Sequence, residues 1–327
     1  MIKNQYFDQL STGTPKKALK IVFFGTSEFA VPAFKYLIQN GYNIVSAITQ
    51  PEKPAGRLRI TMPSHVKKAA VENNIPTFEP HILKDEEVFK HFKHLAPDLC
   101  VVAAYGKIIP EKYLEIPRYG FLNIHPSLLP KYRGPSPIQT AIMNGDVETG
   151  VAIMKVDAEV DHGPILSSKP YYILLTTYYL QAEKELAELG GKLLIEILPK
   201  YINGEVKLKE QEHSQATFTK MLSRHDGKLD WNKTAEEIYN QVRALNPEPG
   251  TWTTWKGKVL NIKTANPLCL DVEHLNIGMV SNINNNIVVA TKKCYLILKQ
   301  IQLEGRKETD AKSFLNGHPD FLGSVLE

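Results

Sequence analysis

The sequence has no apolar run long enough to cross a membrane. A spanning helix needs about 20 consecutive, mainly apolar residues, whereas these 327 residues have the composition of an ordinary globular protein, 43% hydrophobic and 23% charged. Residues 1–18 also lack the apolar centre of a secretory signal peptide. We therefore expect a cytoplasmic protein without a membrane anchor, in which residues 1–18 form a polar leader or short extension.

Cysteine is scarce as well. The three cysteines, Cys100, Cys269 and Cys294, lie far apart, and none belongs to a CxxC pair. Disulfide frameworks and zinc sites require paired or clustered cysteines, so this pattern predicts reduced thiols in a core. His91 and His94 share one face of a predicted helix, but no third ligand accompanies them, and a solvated helix face is the favoured interpretation. We expect no metal ion.

The turn after the first predicted strand has too little glycine for a nucleotide site. Leu19–Gly25 is a continuous apolar run typical of a buried parallel strand, and a helix is predicted at Phe29–Asn40. A dinucleotide fingerprint needs three glycines between these elements, and a phosphate loop needs a glycine followed by a lysine. We therefore reject both a dinucleotide-binding site and a phosphate loop at this turn. The pattern instead predicts a doubly wound, mostly parallel α/β sheet, with its ligand at the carboxyl ends of the strands.

Strands and helices alternate up to about residue 199, after which the pattern changes. The length suggests two domains. We expect an α/β domain over residues 19–199, a polar interdomain linker over 200–225, and a small β-barrel over 226–327, where short β runs alternate with glycine and asparagine turns. Trp252 and Trp255 should lie on opposite faces of one strand, with one of them in the core.

Three side chains suited to acyl chemistry occur within residues 121–163. Asn123 and His125 stand two positions apart at the end of an apolar strand, so both face the same way, and Asp161 follows a later strand. A carboxamide can hold an oxyanion, an imidazole moves protons near neutral pH, and a carboxylate orients the imidazole. Each residue alone is compatible with a structural role in a turn or at a strand end. Together they favour catalysis.

The stretch NIHPSLLPKYRG at 123–134 resembles the signature of the folate-dependent formyltransferases. The DHGP turn at 161–164 and the TQPEKPAGR string at 49–57 are similar to segments of the same family, and the resemblance extends over roughly residues 19–325. It implies a Rossmann-like catalytic domain and a tRNA-binding barrel. It also implies catalytic roles for Asn123, His125 and Asp161, with His162 outside the matched triad. The residues that it implies to contact the folate are Ser127, Leu128, Leu129 and Pro130.

Residues 50–64 form a second notable segment, with three prolines, one glycine and several cations. This composition predicts an exposed loop, and on charge alone it is equally compatible with a solvated basic loop. The resemblance implies that the loop holds the acceptor end of a tRNA, with Arg57 and Arg59 as phosphate contacts. It further implies that Tyr105 and Gly106, which follow a buried strand, line a pterin pocket.

The resemblance implies a monomeric, metal-free enzyme of translation initiation. Its reaction would be formyl transfer from 10-formyltetrahydrofolate to the α-amino group of initiator methionyl-tRNA. Glycinamide ribonucleotide, an amino-sugar nucleotide and water are alternative acceptors. Residues 200–327 count against the first, and the basic loop counts against the sugar. A non-catalytic RNA-binding module is a rival from another class, and it leaves Asn123, His125 and Asp161 unexplained. Whether His125 shuttles a proton or donates to an oxyanion stays open.

Overall fold

A computed structural model of the chain describes residues 18–55, 60–270 and 276–327. Arg57 and Arg59 therefore lie outside the described residues. The chain divides into two compact units. Unit 1 comprises the residues up to Arg133 together with Gly150–Tyr171 and Lys184–Thr217, and unit 2 comprises Gly134–Thr149, Tyr172–Glu183 and Phe218–Glu327. Part of the segment predicted to link the domains, as far as Thr217, thus belongs to unit 1.

Unit 1 is built on a seven-stranded sheet. In chain order its strands are β1 (Lys20–Gly25), β2 (Asn43–Ile48), β5 (Thr77–Phe78), β6 (Leu99–Ala103), β7 (Phe121–His125), β8 (Glu148–Lys155) and β9 (Ile165–Tyr172). Two further strands, β3 (Lys53–Ala55) and β4 (Ile60–Met62), form a separate antiparallel pair.

The order of the sheet is β5-β2-β1-β6-β7-β8-β9, and β5, β2, β1, β6 and β7 are mutually parallel. Strand β8 then pairs antiparallel with β7. The order reverses between β1 and β6, which leaves a crevice at the carboxyl ends of these strands. The predicted mostly parallel α/β fold is confirmed. The apolar run in β1 explains its central place, because its residues after Lys20 are all buried.

The helices within the described ranges are α1 (Val31–Gln39), α2 (His65–Glu72), α3 (Glu86–Leu95), α4 (Glu111–Leu114), α5 (Pro137–Met143), α6 (Tyr179–Ile202), α7 (Ala235–Leu245) and α8 (Ala311–Gly317). Helix α1 begins later than predicted, because a 3₁₀ turn at Glu28–Ala30 precedes it and the Ser27 hydroxyl makes no capping bond. Helix α6 continues past the predicted end of the α/β domain.

The two adjacent glycines in α6 allow its close approach to the sheet and to α1. A Cβ on Gly190 would lie 2.6 Å from Cγ2 of Ile124 in β7, and a Cβ on Gly191 would lie 3.1 Å from the backbone nitrogen of Ala33 in α1. Side chains at these positions would displace their neighbours. The glycine pair therefore keeps α6 packed behind the strand that carries Asn123 and His125.

Unit 2 contains a six-stranded antiparallel sheet, consistent with the β architecture expected of the second domain, which was predicted as a small β-barrel. Its strands are β10 (Thr251–Trp255), β11 (Lys258–Leu268), β12 (Val280–Ile283), β13 (Asn286–Ala290), β14 (Tyr295–Leu303) and β15 (Thr309–Asp310). Trp255 is a buried core residue and Trp252 is half-buried on the other face of β10, which confirms the predicted alternation.

The expectation of three reduced cysteines is wrong. Cys269 and Cys294 form a disulfide, while Cys100 is buried and free, and burial raises the pKa of its thiol. The pairing follows from the antiparallel register of β11 and β14, which places Leu268 opposite Tyr295 and so brings the adjacent cysteines together. Sequence spacing alone does not reveal such a register.

None of the helices in the described ranges combines the length and the apolar character needed to cross a bilayer. Within the same ranges, no group of three or more histidine, cysteine, aspartate or glutamate side chains is arranged to hold a metal ion.

Candidate active site

The carboxyl ends of β1, β2 and β6 are tied together at the crevice. Thr26, directly after β1, donates through Oγ1 to the Tyr105 carbonyl at 3.0 Å, and Gln50, just after β2, donates through Nε2 to the same oxygen at 2.7 Å. The Tyr105 ring is buried and its hydroxyl has no partner in the described part of the chain. Burial raises the pKa of this hydroxyl above its usual value, so its protonated form is favoured further.

Strand β7 brings Asn123 and His125 to the same edge. It lies between β6 and β8, with Asn123 opposite both Val102 and Met154 in the ladder. Because side chains alternate along a strand, Asn123 and His125 project from one face of the sheet. Two neighbouring strands hold β7 in register, so these two functional groups have a rigid support.

The turn between β8 and β9 brings Asp161 to these two residues. Nδ2 of Asn123 donates to Oδ1 of Asp161 at 3.1 Å, and Nδ1 of His125 lies 3.5 Å from Oδ2. Asp161 itself has a φ of 49°, in the left-handed region that aspartate tolerates better than most residues. The structure therefore brings together all three residues predicted as catalytic.

The hydrogen bonds of His125 define its tautomer. Nε2 lies 2.9 Å from the carbonyl oxygen of Tyr132. A carbonyl only accepts hydrogen bonds, so Nε2 carries a hydrogen and Nδ1 is the nitrogen that faces Asp161. The His125 and Asp161 side chains are 5% and 13% exposed, respectively. The pair is thus largely shielded from water, and of the two ring nitrogens it is Nδ1 that faces the carboxylate.

His162 makes a different set of contacts. Its Nδ1 lies 2.7 Å from Oδ2 of Asp157, and its ring stacks on His213 with the centroids 4.0 Å apart. Its other ring nitrogen faces Glu159 at 3.9 Å. Although His162 is adjacent to Asp161 in the sequence, its ring is directed to these other partners.

In the segment 127–130, predicted to contact the folate, two side chains are buried and two are half-buried. Ser127 is buried and its hydroxyl donates to the Lys131 carbonyl at 2.5 Å. Leu129 is also buried, in a small cluster with Ala152 and Met154. Leu128 and Pro130 are half-buried, so they and the backbone are the parts of this segment available to a ligand.

Two buried residues near the site have no counterpart among the sequence predictions. Arg133 donates through Nε and Nη2 to Oε1 of Gln211, at 3.1 and 2.8 Å. Gln211 in turn donates through Nε2 to the carbonyl oxygens of Asp161 and Gly163, at 2.9 and 2.7 Å. Gln211 lies in a polar segment predicted as a linker, where no periodicity indicates its role. Arg133 belongs to the YRG end of the stretch that resembles the family signature, and this was the feature of the sequence that could have indicated a role for it.

The family model for formyl transferase matches residues 19–198, and that for the formyl transferase C-terminal domain matches residues 221–319. The chain belongs to the formyl transferase family. It is 41% identical over 301 residues to methionyl-tRNA formyltransferase of Chloroflexus aggregans, covering 91% of this chain and 97% of that protein. It is 38% identical over 310 residues to methionyl-tRNA formyltransferase of Thermotoga neapolitana, covering 94% and 98%.

Among solved structures, the chain is similar to an N-formyltransferase from Helicobacter canadensis, in complex with folinic acid and dTDP-3-aminofucose. The TM-score is 0.66, with 18% sequence identity over 87% of this chain and 100% of that one. A similar match, with a TM-score of 0.62 and 16% identity, covers 93% of this chain and 48% of HypX from Aquifex aeolicus bound to tetrahydrofolic acid. At this level of identity the likeness concerns the fold.

Proposed function

We propose that this protein transfers a formyl group from 10-formyltetrahydrofolate to the α-amino group of initiator methionyl-tRNA. The observation that carries the proposal is the convergence of Asn123 and His125 on the two carboxylate oxygens of Asp161. The chain is 38–41% identical to methionyl-tRNA formyltransferases in alignments that cover more than nine-tenths of it, and this similarity supports the choice of acceptor.

The reaction forms a bond between the amine nitrogen and the formyl carbon and breaks the bond from that carbon to N10 of the folate. The amine loses a proton and N10 gains one. Nδ2 of Asn123 has two hydrogens, and its bond to Asp161 uses one of them. The second stabilises the oxygen of the tetrahedral intermediate. A single donor of this kind contributes about 3 kcal/mol to transition-state stabilisation.

His125 acts through Nδ1 in this proposal, because the Tyr132 carbonyl holds Nε2. Nδ1 takes the proton that the amine loses and passes it to N10, and while it is protonated it can donate to the developing oxyanion. The carboxylate of Asp161, 3.5 Å away, stabilises the ring when both nitrogens are protonated. Both of the roles considered for His125 therefore use the same atom.

The remaining substrate contacts are proposals of the same kind. We assign the backbone of residues 127–130, with Leu128 and Pro130, to one wall of the folate pocket, since the side chains of Ser127 and Leu129 are buried. Arg57 and Arg59 are assigned to tRNA phosphates. Residues 19–199, 200–225 and 226–327 are assigned as catalytic domain, linker and tRNA-binding domain of a cytoplasmic monomer, consistent with the two matched family segments.

An acceptor panel tests the function. The purified protein is supplied with 10-formyltetrahydrofolate and with methionyl-tRNA, free methionine or a dTDP-linked amino sugar, and the formylated product is identified by mass spectrometry. We expect formylation of methionyl-tRNA alone. Formylation of the sugar nucleotide instead would establish the main alternative, and tRNA binding without formylation of any acceptor would establish a non-catalytic RNA-binding protein.

A further inference from the structure

The buried pair Arg133–Gln211 determines which way the Gln211 amide points. Arg133 is 3% exposed and Gln211 is 5% exposed. Two guanidinium nitrogens, Nε and Nη2, donate to Oε1 of Gln211, so the amide cannot invert without placing its NH₂ group against a cation that has no acceptor. Nε2 is therefore fixed on the opposite side, where the Asp161 and Gly163 carbonyls accept its two hydrogens.

These two carbonyls belong to a turn with little freedom of its own. Asp161 has a left-handed φ of 49°, and a Cβ on Gly163 would collide with the Lys155 carbonyl oxygen at the end of β8. The Gln211 amide donates to the carbonyl of the residue before His162 and to that of the residue after it, and these two hydrogen bonds hold the turn together. The direction of the Asp161 side chain depends on this backbone, because its Cβ is attached to it.

Arg133 also reaches the turn by a second route. Its Nη2 lies 2.8 Å from Nδ1 of His213, whose ring stacks on His162 in the middle of the turn. The residue before it, Tyr132, holds Nε2 of His125 through its carbonyl. Two consecutive residues thus hold the two members of the His125–Asp161 pair, one directly and one through Gln211.

We propose that Gln211, oriented by Arg133, is a positioning residue that sets the angle at which Asp161 presents its carboxylate to Asn123 and His125. This inference rests on the proposed function for the role of Asp161. Gln211 contacts the turn through the backbone carbonyls of Asp161 and Gly163, and it is not one of the groups that react. Its contribution is geometric, and displacements of about 1 Å in a catalytic group can cost a factor of about 100 in rate.

The variant Gln211→Glu separates positioning from general stability. It keeps the shape of the side chain and an acceptor for Arg133, but it directs a carboxylate oxygen, in place of an NH₂ group, at the two turn carbonyls. We expect kcat to fall about 10- to 100-fold, while KM for each substrate changes less than about threefold. Gln211→Met, which removes both sets of bonds, serves as the second variant and should show at least as large a loss.

A double-mutant cycle with Asp161→Asn shows whether Gln211 acts through Asp161. If it does, Gln211→Glu lowers kcat by less than about twofold once the carboxylate is absent. Equal factors in the two backgrounds would overturn the inference, as would wild-type kcat in Gln211→Glu. Single-turnover measurements with labelled formyl donor keep the slow variants measurable.

Imidazole ¹⁵N spectra of the histidine-labelled protein provide a readout that does not depend on activity. We expect the ring signals of His125, assigned with His125→Asn, to move in Gln211→Glu in the same direction as in Asp161→Asn, while those of the exposed His94 stay unchanged. Unmoved His125 signals would overturn the positioning role. If the wild-type protein formylated no methionyl-tRNA but Gln211→Glu still moved the His125 signals as expected, the proposed function would be refuted. The positioning role of Gln211 would then stand.

Discussion

His125 presents Nδ1, not Nε2, to Asp161, with 3.5 Å between the ring nitrogen and Oδ2. The Tyr132 carbonyl accepts from Nε2 at 2.9 Å, in a buried setting. Flipping the ring would break this bond at a net cost of about 1 kcal/mol, and more if the carbonyl stayed unpaired. Of the two ring nitrogens of His125, Nδ1 is therefore the one that faces the carboxylate of Asp161.

The first prediction concerns Asn123 and His125 themselves. Asn123→Ala and His125→Ala should each lower kcat for methionyl-tRNA formylation by about 100- to 1000-fold, because each removes a donor or proton carrier from the transition state. The thermal unfolding midpoint should stay close to that of the wild type, as β7 is held by its ladder on both sides. His94→Ala is the matched control and should retain wild-type turnover. A variant of Asn123 or His125 with near wild-type kcat would refute its assignment.

The second prediction concerns Arg57. Arg57→Ala should raise KM for tRNA and reduce the slope of log K against log salt by about one, as expected for the loss of one phosphate contact. Binding is measured by fluorescence titration between low and moderate salt. Lys90→Ala removes a cation that is paired with Glu87 on α3 and should leave the slope unchanged. Equal slopes for Arg57→Ala and the wild type would mean that the loop is only a solvated basic segment.

The third prediction tests the turn that carries Asp161. Gly163→Ala should destabilise the protein by about 1–3 kcal/mol and lower kcat, since the new Cβ must displace the Lys155 carbonyl. Gly317→Ala, in α8, is the control because a Cβ there meets no atom within 4 Å. It should change stability by less than about 1 kcal/mol, in the stabilising direction if any. Chemical denaturation and steady-state kinetics measure the two effects, and equal behaviour of the two variants would contradict the prediction.

The fourth prediction concerns the capping box at the start of α7. The Thr234 backbone N–H donates to Glu237 Oε2 at 2.8 Å, the Thr234 hydroxyl donates to the same oxygen, and together they lower the pKa of Glu237 below its usual value. Because the folded-state pKa is lowered, the stabilisation is present above the ordinary pKa of about 4.3 and is lost as pH falls through the lower value. Glu237→Gln should therefore be less stable than wild type at pH 7, and the difference should shrink towards pH 3.

The matched control for this effect is Glu236→Gln, which removes a charge from the same turn of α7 without removing a capping bond. It should cost less at pH 7 than Glu237→Gln. Thr234→Ala removes the other half of the box and should cost about 1 kcal/mol. A stability difference for Glu237→Gln that stays constant from pH 7 to pH 3 would show that its ionisation contributes nothing.

Local pattern was a good guide to the strands that carry the site. The apolar runs of β1, β6 and β7 identified a buried parallel sheet, and alternation placed Asn123 and His125 on one face. The beginning of α1 was predicted less well, at Phe29 where the helix begins at Val31. Ser27 has the residue type of a cap but makes no capping bond, and a 3₁₀ turn at Glu28–Ala30 precedes α1.

The sequence by itself determined the class of fold, the family resemblance and the identity of Asn123, His125 and Asp161 as candidates, because these depend on residue types at short, regular spacings. Only the tertiary structure decided which nitrogen of His125 faces Asp161, that Cys269 pairs with Cys294, and that Gln211 holds the Asp161 turn. Arg133 and Gln211 are separated by 78 positions. A hydrogen bond between residues so far apart in the sequence depends on the path of the whole intervening chain. Local propensity does not encode that path.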